Sequence, residues 1–183
     1  MIVGFIKIYL LFLINKMEWI ILVLMLFFIF FIFALIKMRS PKKKSILNKC
    51  QKYISNTKDD WNYILPTDFY KNYYKRLESG DNKDFVLIDL RKEDVFSQYH
   101  IKNSINIFWL DLLKEENINK LPKKKKIFLI CYVGHTSSQA MVLLRLLGYN
   151  VTSIKYGYGI SPISNVNIAG WLNYNLPVYA NST

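Results

Sequence analysis

The chain has 183 residues, a length that suits one folded domain and an additional segment. Hydrophobic residues make up 52% of it, aromatic residues 16%, and the net charge is +12. Its cysteines and histidines are few and widely separated, which excludes a tetrahedral metal site, and there is no glycine-rich nucleotide-binding loop. We therefore expect no metal and no other cofactor.

The additional segment is an uninterrupted apolar run over residues 19–36. A helix of this length is about 27 Å long, close to the hydrocarbon thickness of a bilayer. A cleaved signal peptide is the alternative, but its apolar core would be unusually long. Lys37, Met38 and Arg39 follow the run, where a signal peptide needs small residues for cleavage. We therefore predict a retained single-pass transmembrane helix over residues 19–36.

Residues 1–18 form a separate N-terminal segment. Its apolar stretch, residues 2–14, is interrupted by Lys7 and is too short to span a bilayer alone. We expect this segment to lie at the membrane interface. Met1 and Met17 are two alternative translation starts.

Residues 37–60 are predicted to be a basic linker. Such a segment beside a transmembrane helix is retained on the cytoplasmic side and attracts anionic lipid headgroups. The other flank is much less basic, so the following domain is predicted to be cytoplasmic. Nucleic-acid binding is the rival explanation, but the adjacent membrane helix explains the charge more simply, and we expect no nucleic-acid partner. The basic residues are Lys37, Arg39, Lys42, Lys43, Lys44, Lys49, Lys52 and Lys58.

Strands and helices alternate over residues 61–183, the predicted domain. This alternation predicts a parallel sheet that is covered by helices on both faces. Ligands bind at the carboxyl edge of such sheets, where one strand delivers Cys131. Residues 160–169 resemble an insertion without a predicted element. The predicted strands are residues 85–89, 104–107, 127–130 and 151–155, and the predicted helices are residues 66–77, 93–99, 109–116 and 137–147.

Cys131 opens the loop between the apolar strand 127–130 and the helix 137–147. Backbone N–H groups of this loop and of the helix N-terminus can point into one concavity, which attracts anions. A cysteine in that position is stabilised as the nucleophilic thiolate. Gly134 allows a tight turn, and one of the hydroxyl residues 136–138 is expected to cap the helix. From these residues alone, a small buried cysteine without chemistry is the alternative.

Three motifs in this order resemble the rhodanese-like family. Residues 131–137, Cys-Tyr-Val-Gly-His-Thr-Ser, resemble its active-site loop, Cys-x-x-Gly-x-(Arg/Thr)-Ser. Residues 89–107 resemble its Asp-x-Arg pair and its Gly-His-Ile-x-Gly-Ala-x-Asn motif. Residues 147–157 resemble its Leu-Gly-(Tyr/Phe) motif and final strand. The resemblance covers residues 64–177, including Trp171, which matches a tryptophan that often follows the last strand.

The resemblance implies an α/β, rhodanese-like three-layer fold with a parallel sheet flanked by helices, here preceded by a single transmembrane helix. It also implies a sulfurtransferase that passes sulfur from a small donor to a thiol or other nucleophilic acceptor. A non-catalytic binding module of the same fold, or a persulfide carrier for a partner protein at the membrane, is the alternative. The implied catalytic residue is Cys131, and the implied substrate-binding residues are Tyr132, Val133, Gly134, His135, Thr136 and Ser137.

Several positions depart from the family pattern. Tyr99 and Asn103 stand where the family usually has glycine, and asparagine tolerates left-handed backbone more easily than tyrosine. Tyr132 and Thr136 stand where many active members have arginine, so backbone, helix dipole and hydroxyl groups are expected to hold the anion. Related phosphatases need an arginine six residues after the cysteine. Ser137 occupies that position, which excludes phosphatase chemistry.

Other chemically capable residues are expected to be structural. The resemblance implies that Asp89 and Arg91 hold neighbouring loops together through hydrogen bonds and an ion pair. His100 is expected to be a hydrogen-bonded structural histidine, and Arg145 to lie too far down its helix to take part. Cys50 is expected to be incidental to the chemistry. Two roles are open for His135: it either supplies positive charge near a bound anion when it is protonated, or it faces outward.

Overall fold

A computed structural model describes residues 2–39, 41–58, 60–161 and 168–180. Most of the predicted insertion, residues 162–167, lies outside the described residues. Contacts divide the chain into two compact units, Met1–Cys50 and Gln51–Thr183. The second unit holds the sheet and the loop that begins with Cys131.

Helix α1 (Ile2–Arg39) runs without interruption through both apolar stretches of the N-terminal region. Its segment Lys16–Lys37 has the length and composition needed to cross a membrane, with a mean hydropathy of 3.3, and none of it is buried. A membrane span and a signal sequence share these properties. Helix α2 (Pro41–Asn56) follows, so the predicted basic linker is largely helical. It begins at Pro41, where a proline suits the first turn of a helix.

The sheet has five parallel strands in the order β1-β5-β4-β2-β3. The central strand β4 begins one residue before the prediction, and β5 ends one residue earlier. Strand β1, with two residues, is missing from the sequence prediction, and β3 is shorter than the predicted strand 104–107. The strands are β1 (Tyr63–Ile64), β2 (Phe85–Asp89), β3 (Ile105–Asn106), β4 (Lys126–Ile130) and β5 (Val151–Ile154).

The predicted helix over residues 109–116 is wrong. A 3-10 helix, Trp109–Asp111, is followed by a separate α-helix, Glu115–Ile118, because Lys114 has an extended backbone with ψ of 143°. The predicted helix 66–77 contains a π-helical turn, Tyr70–Tyr74, between two α-helical turns. After α2, the other helices that the structure describes are α3 (Pro66–Phe69), α4 (Lys75–Glu78), α5 (Glu93–Gln98), α6 (Glu115–Ile118), α7 (His135–Leu146) and a 3-10 helix, Leu172–Tyr174.

Apolar side chains cover both faces of the sheet, which confirms the predicted three-layer architecture. Successive residues of a strand point to opposite faces, so β4 contributes to both layers. One layer packs against α7, and the other packs against α3 and α4. The first cluster includes Ile88, Ile127, Leu129, Ala140, Met141 and Leu144, and the second includes Phe69, Leu77, Leu87, Phe128, Ile154 and Trp171.

The two positions where the family usually has glycine differ in backbone conformation. Asn103 has φ of 61°, in the left-handed region that asparagine tolerates. Tyr99 has φ of −160° and ψ of 142°, an extended conformation that any residue adopts. Because the backbone at Tyr99 is extended, a tyrosine fits at this position without backbone strain.

Candidate functional site

Cys131 directly follows β4, the strand at the centre of the sheet, and only 1% of its surface is exposed. Helix α7 begins close to its sulfur. The backbone N–H of Ser137 donates to Cys131 Sγ at 3.4 Å, and Ser137 Oγ lies 3.3 Å from the same sulfur. This geometry places Sγ at the end of the helix where the dipole and free N–H groups favour negative charge.

A second serine holds Ser137 in place. Ser153 of β5 donates from its Oγ to Ser137 Oγ at 2.9 Å, and Ser137 Oγ donates to the Gly134 carbonyl at 3.2 Å. Both serines are fully buried. The hydroxyl of Ser137 can accept a hydrogen bond from the thiol or, after rotation, donate one to the thiolate. Sequence reasoning missed Ser153 because only the pairing of β5 with β4 brings it under the loop.

The N-terminus of α7 differs from the prediction. Gly134, with φ of 88°, is the cap residue, and no side chain makes a capping hydrogen bond. The helix begins at His135, two residues before the predicted start. The hydroxyls of Ser137 and Ser138 therefore lie inside the first turn and donate backwards to the Gly134 carbonyl. The expected hydroxyl cap is wrong, whereas the tight turn expected at Gly134 is present.

A turn after β5 packs directly on the cysteine loop. The backbone N–H of Tyr158 donates to the Cys131 carbonyl, and that of Gly159 donates to the Tyr132 carbonyl, both at 2.9 Å. Gly157 lies so close that a Cβ there would collide with the Cys131 carbonyl oxygen, and its φ is 53°. Only glycine fits both the space and the backbone conformation at this position.

We expect Gly157→Ala to destabilise the domain by about 3–5 kcal/mol, because left-handed strain and overpacking add. Gly148→Ala is the matched control. Gly148 also has a positive φ, 93°, but a Cβ there meets nothing within 4 Å. Thermal unfolding of the full chain in detergent, followed by tryptophan fluorescence, measures both changes. Equal shifts for the two variants would show that contact with the cysteine loop does not matter.

A pocket with a volume of about 530 Å³ opens above Cys131. Tyr132, Val133, His135 and Thr136 line it together with the cysteine. Of the other predicted loop residues, Gly134 and Ser137 are buried beside the loop, and Ser137 contacts the sulfur. Contact of these residues with a substrate stays a prediction. Partial burial raises the pKa of Tyr132, although nearby Arg91 opposes the shift, so the phenol is neutral and can donate at neutral pH.

Sequence reasoning missed seven of the twelve residues that line the pocket. The missed residues follow β2 and β3 or belong to α5, and one follows β5. The signal that could have found most of them is topological, because the carboxyl ends of neighbouring parallel strands meet at one edge of the sheet. These residues are Leu90, Lys92, Asp94, Val95, Phe108, Trp109 and Ser161.

The Asp-x-Arg pair is fully buried next to the pocket loops. Arg91 Nη2 donates to Asp89 Oδ2 at 2.7 Å and to the Tyr99 carbonyl, also at 2.7 Å. The guanidinium lies over the rings of Tyr158 and Tyr99, at 3.6 Å and 4.6 Å from their centroids. Burial opposes the charge of Arg91, but its bonds to Asp89 raise its pKa above the ordinary value. The pair therefore joins neighbouring loops, as the family resemblance implies.

Two other expectations about structural residues are confirmed. His100 Nδ1 lies 2.9 Å from the Phe96 carbonyl oxygen, and the imidazole ring stacks on the Phe96 ring with centroids 4.1 Å apart. Arg145 Nε donates to the Val151 carbonyl at 2.6 Å, at the beginning of β5 and away from the cysteine. Both cysteines have free thiols.

Comparison with known proteins agrees with this geometry. The model of the rhodanese-like domain family matches residues 70–159. An adenylyltransferase and sulfurtransferase uba4 of Ogataea parapolymorpha is 38% identical over 63 residues, 34% of this chain and 16% of its own length. The protein of the same name from Meyerozyma guilliermondii is 36% identical over 83 residues, 42% of this chain and 20% of its own length. The chain thus spans a fifth or less of these curated relatives.

A solved structure supports the fold. The BH2092 protein of Bacillus halodurans is 17% identical, with a TM-score of 0.51 over 73% of this chain and 85% of its own. At this identity the likeness concerns the fold alone. The parallel sheet, the cysteine loop at its carboxyl edge and the match to the family model lead to the same conclusion: residues 70–159 form a rhodanese-like domain.

Proposed function

We propose that the protein is a membrane-anchored sulfurtransferase that carries sulfur as a persulfide on Cys131. One observation carries the proposal. Cys131 lines a pocket of about 530 Å³, and its Sγ accepts a hydrogen bond from the Ser137 N–H at the beginning of α7. A helix N-terminus favours the thiolate and, later, the anionic persulfide. The names of the two partial relatives include sulfurtransferase, which is in keeping with this reaction.

The proposed reaction has two steps. The Cys131 thiolate attacks the outer sulfur of a donor, and the bond between that sulfur and the rest of the donor breaks with its electron pair leaving on the donor remnant. A nucleophilic acceptor, such as a thiolate, then attacks the outer sulfur of the persulfide and restores the Cys131 thiolate. The N–H of Ser137 and the loop residues Tyr132, Val133, Gly134, His135 and Thr136 are proposed to hold the anionic groups.

The experiment that tests the proposal measures sulfur on the protein. The full chain in detergent is incubated with several sulfur donors, and its intact mass is recorded before and after reduction. We expect an adduct of one sulfur atom that a reductant or cyanide removes, with thiocyanate as the product of cyanide. The same adduct in Cys131→Ser, or no adduct with any donor, contradicts the mechanism.

Two alternatives predict different outcomes. A persulfide carrier for a partner protein acquires the adduct but passes it slowly to small acceptors, since its acceptor must dock. A non-catalytic binding module acquires no adduct. The arginine-free loop, residues 131–137, is the feature that favours the binding module, because arginine commonly clamps anions in such loops.

The membrane assignment rests on α1 and α2. Lys16–Lys37 of α1 suits a bilayer span, and α2 carries lysines without acidic residues. The apolar side chains Ile46, Leu47 and Ile54 of α2 are 63%, 53% and 67% exposed. At 100° per residue they share one side of the helix, which suits an interfacial helix on anionic lipid. We propose the division into residues 1–18, 19–36, 37–60 and 61–183, with the last part cytoplasmic.

We expect a reporter that is active only outside the cytoplasm to stay inactive when fused after Thr183, because the basic side of the span is retained inside. A matched fusion to a known exported segment gives the level of full activity. N-terminal sequencing of the membrane fraction is expected to find α1 uncleaved. Strong reporter activity contradicts the orientation, and a mature N-terminus beyond residue 36 contradicts the anchor.

A further inference from the structure

The walls of the pocket above Cys131 are largely apolar. Leu90, Val95, Phe108, Trp109 and Val133 contribute to them. The Trp109 backbone N–H donates to the Leu90 carbonyl at 3.2 Å, which joins the loops after β2 and β3 on one side of the pocket. A volume of about 530 Å³ lies in the range of sites for organic molecules. A small inorganic ion such as thiosulfate fills little of it and contacts few of these walls.

The fixed charges at the pocket mouth cancel. Lys92 and Asp94 are both exposed, both line the pocket and lie two residues apart. Arg91, which lies between the lining residues Leu90 and Lys92 in the chain, is already paired with Asp89. A dianion therefore meets no net positive charge from these side chains. A monoanion with an apolar body, in contrast, interacts favourably both with the N-terminus of α7 and with the apolar walls.

We propose that the sulfur donor is a monoanionic organic compound with an apolar body, an organic persulfide or thiosulfonate, and that Trp109 is a specificity-determining residue for it. This inference rests on the proposed function and names its substrate class. The anionic sulfur faces Cys131 and the N-terminus of α7, and the organic body lies against Phe108 and Trp109.

The transfer from such donors balances without an oxidant or reductant. With a thiosulfonate, Sγ forms a bond to the outer sulfur, the bond to the sulfonyl sulfur breaks, and the electron pair leaves on the sulfinate. With an organic persulfide, the electron pair leaves on the organic thiolate. One negative charge moves to the persulfide of Cys131 and one leaves with the remnant in both cases.

Two thiosulfonate probes with organic groups of different size isolate the contribution of contact with the apolar pocket walls. Sulfur transfer to cyanide by the full chain in detergent is measured with methanethiosulfonate, benzenethiosulfonate and thiosulfate. We expect kcat/KM for benzenethiosulfonate to exceed that for methanethiosulfonate by about tenfold after correction for their uncatalysed rates. Trp109→Ala is expected to reduce this preference to within about threefold. Trp61→Ala, at a site that is 73% exposed, is the control and leaves the preference unchanged.

A second variant gives a gain that misfolding cannot produce. Asp94→Asn removes the negative charge from the pocket mouth and retains an acceptor for the Val95 N–H, which Asp94 Oδ1 accepts at 2.9 Å. We expect kcat/KM for the dianion thiosulfate to rise about threefold or more, and that for benzenethiosulfonate to rise less.

The outcomes separate this inference from the proposed function. Equal use of the two thiosulfonates by the unmodified chain, or thiosulfate used as well as benzenethiosulfonate, overturns the donor class but leaves the persulfide mechanism in place. The absence of a Cys131 adduct with every probe overturns both. A benzenethiosulfonate preference that Trp109→Ala removes and Trp61→Ala retains supports the inference.

Discussion

Cys131→Ser is expected to abolish sulfur transfer, lowering kcat/KM at least about 10³-fold, because a serine hydroxyl cannot form or release a persulfide. The fold is expected to persist, since serine is smaller and its hydroxyl can keep the contacts that Sγ makes with Ser137. Thiocyanate formation from cyanide measures the activity, and thermal unfolding measures the fold. The assay uses the full chain in detergent with each donor in turn.

Cys50→Ser is the matched control for this experiment. Cys50 is the other free cysteine and belongs to α2, outside the rhodanese-like domain. We expect the Cys50→Ser variant to retain full activity. Activity that survives in Cys131→Ser and disappears in Cys50→Ser would assign the sulfur chemistry to Cys50 and refute the proposed site.

Asp89→Leu is expected to destabilise the domain by about 3–5 kcal/mol, because it leaves the Arg91 guanidinium buried without its partner. It also removes the acceptor of the Tyr158 hydroxyl, which donates to Asp89 Oδ2 at 2.9 Å. Burial and the Asp89 carboxylate hold the pKa of Tyr158 well above its ordinary value, so this hydroxyl stays protonated. Denaturant unfolding of the full chain in detergent, monitored by tryptophan fluorescence, measures the loss.

The chain provides a matched control for this substitution. Asp84 also pairs with an arginine, Arg76, but both side chains are exposed. Water solvates the arginine when its partner is lost, so Asp84→Leu is expected to leave the unfolding midpoint unchanged. The double variant Asp89→Leu with Arg91→Met is expected to regain part of the stability, because no unpaired charge then remains buried. Similar losses for the two aspartate variants would mean that burial of the Asp89–Arg91 pair is unimportant.

Strand β4, helix α7 and the position of Cys131 between them follow from the sequence because their signals are local. An apolar run next to a helical pattern encodes both elements whatever the rest of the chain does. The apolar segment that became part of α1 is determined in the same way. The Asp89–Arg91 ion pair was implied by a motif, and its burial fits that implication. The alternation of elements also indicated the three layers, which the two apolar clusters confirm.

The tertiary structure alone decided the features that depend on distant contacts. Gly157 must be glycine because Cys131 lies against it, and Ser153 supports Ser137 because β5 pairs with β4. Residues 109–116 form no single helix, since Trp109 is held by the Leu90 carbonyl and Lys114 is extended. The pocket wall combines loops that follow different strands, and a local pattern contains no information about which loops meet. Local periodicity therefore determined the strand and the helix on either side of Cys131, whereas packing between distant segments determined the shape, charge and apolar walls of the pocket beside it.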